Sequence, residues 1–151
     1  MSSETPSRRR QTALAVIEAY NSHNMDNIMS FRTEDCVQQI LPWSLGRPQM
    51  DNASYVTFLG PLLSQLKDFT VTIDDVIEDA QANKVVILAH STASSDIGPY
   101  ANEYVLILHM NEAGDKVTKF VEFVDSNNSV TFFPKLREHL EEKAKASAEG
   151  K

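Results

Sequence analysis

A change of hydrophobic period part-way along the chain limits the possible folds more than any other feature. Before residue 67 the apolar residues recur at helical spacing: Ala13, Leu14, Ile17 and Tyr20, then Tyr55, Phe58, Leu59, Leu62, Leu63 and Leu66. From Phe69 onward they alternate, with Phe69, Val71 and Ile73 interleaved by Thr70, Thr72 and Asp74. The first part predicts a helix from Ser7, as cap, to about Ser22, and a short helix capped by Asp26 and running through Ile28, Met29 and Phe31. A strand at Val37–Leu41 and a third helix starting at Asn52 follow. The second part predicts strands at Phe69–Ile77, Lys84–Thr92, Pro99–Met110 and Lys116–Val124, then a short strand or turn at Ser129–Phe133 before Pro134. Helices followed by a run of strands on tight connections argue an α+β domain, with the helices on one face of a curved antiparallel sheet. Residues 1–6 are expected to be disordered, 7–137 to form the domain and 138–151 to be a charged tail.

Composition removes several classes of function. With 14 Lys and Arg against 21 Asp and Glu the net charge is −7, and no basic face is in view, so nucleic acid is not expected as a partner. No apolar run approaches the roughly 20 residues of a membrane span, and the N-terminus shows no secretory h-region. The single cysteine, Cys36, cannot pair within the chain, which suits a reducing, cytoplasmic setting. The glycines are isolated, so there is no phosphate-binding loop. The four histidines lack metal-ligand spacing, and no nucleophile elbow is present. Chemistry without metal or cofactor, from acids, bases and hydrogen-bond donors, is the expectation.

The last hairpin carries the candidate site. With Asn111–Asp115 as its turn, Met110 faces Lys116, and that register sets Tyr104 opposite Glu122. Tyr100 and Asn102 then share the face by their period of 2. Glu122 lies within Phe120-Val-Glu-Phe-Val124, where a carboxyl belongs either to a pocket or to an exposed strand paired with Lys119 or Lys84. In a pocket, desolvation would raise its pKa into a useful acid/base range. Arg32 is either a fixed cation facing a developing oxyanion or a surface partner of Glu34 or Asp35. Trp43, in a Pro-bounded loop, is either a pocket lid or core packing. One of Gln38 and Gln39 must face inward. An Asp/His pair for acid/base work has only His90 and Asp125 to offer, and no spacing brings these together.

Taken together, Arg32-Thr-Glu-Asp-Cys36, Leu41-Pro-Trp-Ser-Leu-Gly46, Gly98-Pro-Tyr-Ala-Asn-Glu-Tyr104 and Phe120-Val-Glu-Phe-Val-Asp-Ser126 resemble the fungal SnoaL-like enzymes of secondary metabolism. The resemblance covers roughly residues 10–137 and implies the NTF2-like cone, in which three N-terminal helices close a curved antiparallel sheet. It also implies a cofactor-free isomerase or cyclase acting on a small polycyclic substrate, most similar to the semipinacolases of spiro-indole alkaloid pathways. Polyketide cyclases and meroterpenoid or xanthone isomerases belong to the same group. The catalytic positions so implied are Arg32, Tyr100, Tyr104 and Glu122. Trp43, Gln39, Asn102, Phe58, Phe120 and Asp125 would contact substrate. An open sheet face needs cover, so a homodimer is expected; a non-catalytic binding or dimerisation module of the same fold is the alternative.

Overall fold

The protein is described by a computed structural model covering residues 4–150, so part of the N-terminal segment expected to be disordered lies outside the described residues. Helix α1 (Arg8–Asn21) starts where Ser7 Oγ accepts the amide of Arg10 at 3.0 Å, satisfying one otherwise unpaired N–H of the first turn. It buries Ala13, Val16, Ile17 and Tyr20. Helix α2 (Met25–Met29) is capped by Asn24, whose Oδ1 accepts from Asn27, and not by Asp26, which sits inside its first turn. Strand β1 (Arg32–Leu41) begins five residues earlier than the sequence pattern indicates. Arg32 is therefore a strand residue, ahead of a register irregularity that ends at Val37. A single 3-10 turn (Trp43–Leu45) leads to α3 (Asn52–Gln65), where Asp51 accepts the amide of Ser54.

Strands β2 (Lys67–Asp79), β3 (Lys84–Ser95), β4 (Gly98–Met110) and β5 (Val117–Val124) form an antiparallel meander, and the sheet order is β1-β5-β4-β3-β2. Two features differ from expectation. β1 joins the sheet parallel to β5, so the sheet is mixed, and β1 separates α2 from α3 along the chain. The segment Ser129–Phe133 is helical, part of α4 (Ser126–Glu149), which continues through the charged stretch 138–149. Asp125 starts this helix by accepting the amides of Asn127 and Asn128, and its Ser129, Phe133 and Leu136 recur at helical spacing. Three helices thus precede the meander in sequence only if β1 is passed over, and the fourth follows it. No helix among the described residues is long and apolar enough to cross a membrane.

The hairpin between β4 and β5 sets the register of the site. Asn111 Oδ1 accepts the amides of Asp115 and Lys116, and Asn111 N bonds the Lys116 carbonyl at 2.9 Å. The turn therefore closes one residue further in than a Met110–Lys116 pair would have it. An irregularity between His109 and Met110 adds a second residue, so Leu106 lies opposite Glu122 and Tyr104 opposite Val124. A slip of two residues keeps every side chain on its face, so Glu122 and Tyr104 remain on one side as diagonal neighbours and not as a direct pair. Gly114 in this turn has φ +71°, and a Cβ there would sit 3.2 Å from Arg9 N on α1. Gly114→Ala is expected to cost about 1–3 kcal/mol through backbone strain and this close approach. A thermal melt showing an unchanged Tm would refute that.

Candidate active site

Between the helices and the concave side of the sheet lies a cavity with about 870 Å³ of space between its atoms, its mouth included. α1 supplies Ile17 and Tyr20, α3 supplies Tyr55, Phe58, Leu59, Leu62 and Leu63, and α4 supplies Ser129 and Phe133. The sheet supplies Ile40, Tyr100, Asn102, Tyr104, Leu106, Phe120 and Glu122. The walls are mostly apolar, and the polar groups fall into two sets.

One set is anchored on β4. Tyr104 Oη lies 2.6 Å from Ser91 Oγ and 3.4 Å from Tyr100 Oη. Asn102 Nδ2 donates to Tyr100 Oη at 3.2 Å and to Ser129 Oγ at 3.4 Å, tying the sheet to α4. Burial holds the Tyr104 phenol well above its ordinary value, reinforced by Tyr100 and Glu122. Burial likewise raises Tyr100. Both are protonated donors at neutral pH.

The other set surrounds Glu122. Its carboxyl is partly accessible, from the cavity side, and makes no ion pair within 4 Å among the described residues. Burial pushes its pKa up to about 7, against the opposing pull of the Arg32 guanidinium, the Gln38 amide and Arg47. Arg32 lies behind the cavity wall and not in it. Its Cζ stands 4.4 Å from the Tyr55 ring centroid and 5.4 Å from that of Phe120. It donates to Gln38 Oε1 and, at 3.7 Å, to Cys36 Sγ. Gln38 is fully buried, and its Nε2 meets no acceptor at bonding geometry, although its amide still favours the Glu122 carboxylate. Tyr20 Oη and Tyr55 Oη bond each other at 2.8 Å beneath this cluster.

Of the residues singled out from sequence, Glu122, Tyr100, Tyr104, Asn102, Phe58 and Phe120 line the cavity together. Three do not. Strand alternation puts Gln38 and the cavity-lining Ile40 on one face of β1, which turns Gln39 to the opposite face. Trp43 is 72% exposed on the 3-10 turn and lies outside the wall. Asp125 is occupied as the cap of α4 and does not line the cavity. His90 pairs with Asp74, at 2.8 Å, on the outer face of the sheet, so the acid/base pair sought in His90 and Asp125 is absent from the cavity. Sequence reasoning missed Arg47, Ser91, Ser129 and Phe133. The last two were legible in the Asp125 cap and the Ser129, Phe133, Leu136 spacing. Arg47 lies in an aperiodic loop. Among the described residues no group of three or more His, Cys, Asp or Glu side chains could hold a metal ion.

Comparison with known proteins identifies the family of the fold. Residues 13–120 match the family model described as the SnoaL-like domain. The chain belongs to the SnoaL-like family. It is 35% identical over 124 residues to a protein named monooxygenase nsrQ from Aspergillus novofumigatus, covering 82% of each chain. Among solved structures it resembles the BvnE pinacolase from Penicillium brevicompactum, with a TM-score of 0.83 and 31% identity over 88% of this chain and 96% of that one. It also resembles AusH from Aspergillus nidulans, with a TM-score of 0.76 and 27% identity over 81% and 86% of the two chains. The α+β fold is NTF2-like, and its relatives include fungal secondary-metabolite proteins.

Proposed function

We propose that this protein is a cofactor-independent isomerase that directs a semipinacol-type rearrangement of an oxidised indole polycycle. The carrying observation is a carboxyl poised near neutrality, Glu122, in an apolar cavity that also presents two protonated phenols. The likeness to a pinacolase supports the reaction type. In the proposed step the Glu122 carboxylate takes the proton of a hydroxyl beside an imine carbon, and the O–H bonding pair becomes the C=O π bond. The migrating group moves with its bonding pair to the imine carbon. The C=N π pair goes to nitrogen, which takes a proton from a Tyr104 or Tyr100 hydroxyl. Before the next turnover Glu122 releases its proton to solvent at the cavity mouth and the phenol regains one from it, so the enzyme is restored. No atom is gained or lost. Arg32 acts through Glu122 from behind Phe120, and Phe58, Phe120 and the leucines of α3 fix which group is aligned to migrate.

A non-catalytic module of this fold would fill its cone with side chains and satisfy Glu122 with Tyr104. Here the cone is open and Tyr104 bonds Ser91. The monooxygenase names of several relatives favour a second reading, oxygen insertion. Incubation with racemic 3-hydroxyindolenines, followed by chiral chromatography and mass analysis under ¹⁸O₂, separates the two. Rearrangement predicts one pseudoindoxyl stereoisomer of unchanged mass, in excess over the spontaneous mixture. Mass gain from ¹⁸O₂ would establish oxygenation, and no change in product distribution would move the reading to a cyclase of another scaffold.

A further inference from the structure

Arg47 is a cavity-lining cation without a counterion. Its guanidinium carbon stands 4.9 Å from the Phe58 ring centroid, and both residues line the cavity alongside Leu45 and Glu122. It is half-buried, and among the described residues no carboxylate lies within 4 Å of it and none of its donors has a hydrogen-bond acceptor. A guanidinium carries five N–H donors and no acceptor, and one held partly out of water without an anion is costly. The other donors lining the cavity are neutral groups, each with a hydrogen-bond partner in the protein. Tyr20 and Tyr55 bond each other, the β4 hydroxyls and Asn102 bond among themselves and with Ser91 and Ser129, and Arg32 is taken by Gln38. Arg47 is thus the charged donor without a partner at the α3 side of the cavity, among the described residues. It is near enough to Glu122 to act on its carboxyl, yet forms no ion pair with it.

We propose that Arg47 is a substrate-anchoring residue, and that the natural substrate presents an anionic or strongly acidic oxygen (a carboxylate, phenolate or enolate) to it while its aromatic body stacks beside Phe58. The proposal rests on reading the cavity as a substrate site and adds to the indole polycycle an acidic oxygen within one cavity's length of the atom that Glu122 deprotonates. The planar fork donates two N–H groups to such an anionic group, which fixes orientation as well as binding. That anchor explains how an apolar cone can hold one face of a rigid polycycle toward Glu122.

The test uses two near-isosteric probes, 1-naphthoate and 1-naphthamide, titrated at pH 6, where Glu122 is protonated and does not repel an anion. The wild type is expected to bind naphthoate roughly tenfold more tightly than naphthamide, the value of a charge-assisted pair over a neutral one. Arg47→Gln should abolish that preference and leave naphthamide affinity within about twofold, which also shows that the cone still folds. Equal affinity for both probes in the wild type, binding of neither, or a naphthoate preference that survives Arg47→Gln would overturn the proposal. A preference that depends on Arg47 in a protein that leaves hydroxyindolenines unchanged would keep the anchor and discard the rearrangement. Turnover of hydroxyindolenines by a protein with no such preference would do the reverse.

Discussion

Replacing Glu122 with Gln is expected to lower the enzyme-dependent turnover by about 10²–10⁴-fold, the usual contribution of a positioned acid/base. The amide keeps the size and most of the hydrogen-bonding shape of the acid but cannot take a proton, so KM should change little. In the wild type the rate should rise with pH and level off above about 7, because the base form of Glu122 accumulates as its carboxyl, held near 7 by burial, ionises. The variant should lose this limb and retain only the spontaneous pH dependence. A pH-rate profile of product formed in one stereochemical series checks both. A variant with wild-type rate and stereochemistry sinks the acid/base role.

The same substitution has a stability signature of opposite sense. Glu122 binds its proton up to about 7 when folded, against an ordinary value of 4.5, so between those limits the folded state holds more protons than the unfolded one. Folding stability therefore falls as pH rises through this window. At 1.36 kcal/mol per pH unit the loss is on the order of 3 kcal/mol once Glu122 is fully ionised. Glu122→Gln should remove that fall. Its Tm should exceed that of the wild type by several degrees at pH 8 and approach it near pH 4.5. A protein stabilised by removing a buried carboxyl carries that group at a cost to the fold, as functional sites commonly do.

How much of this was legible in the sequence follows from particular residues. The face shared by Tyr100, Asn102, Tyr104 and Glu122 survived a mistaken register because a slip of two residues preserves the face, whereas a slip of one would have dispersed it. One residue of the slip arose from Asn111, whose side chain bonds the backbone of the turn and draws Lys116 into it, and the other from the irregularity between His109 and Met110. Ser129–Phe133 reads as a short strand or turn because Val130, Thr131, Phe132 and Phe133 favour strands and Pro134 follows. The Asp125 cap and packing of Phe133 and Tyr100, with ring centroids 5.4 Å apart, override that local preference. Gln39 was chosen over Gln38 at a position where only the pairing of β1 with β5 settles which of two adjacent residues faces the cavity. Arg47 left no trace because a loop has no period, and its place over Phe58 is made by tertiary packing.

Arg32→Met is expected to destabilise the protein by about 2–4 kcal/mol and to move the rising limb of the pH-rate profile to higher pH. The first effect is structural. Methionine fills part of the slot between Tyr55 and Phe120 but removes a desolvated cation–π contact and leaves Gln38 Oε1 buried without its donor. The second effect is electrostatic and is what a purely structural role would not produce. Arg32 heads the groups that pull the Glu122 pKa down against desolvation, so without it Glu122 is held protonated further into the alkaline range. At pH 7 the base form becomes scarce and the rate falls, whereas at pH 9 much of it returns. Arg32→Lys tests the geometry of the cation. It keeps the charge but lacks the planar fork that donates to Gln38 while lying over Tyr55. It should therefore restore the position of the pH limb more fully than the Tm. A Met variant whose rate falls equally at every pH would make Arg32 a packing residue, and the tuning of Glu122 would then rest on Gln38 and Arg47 alone.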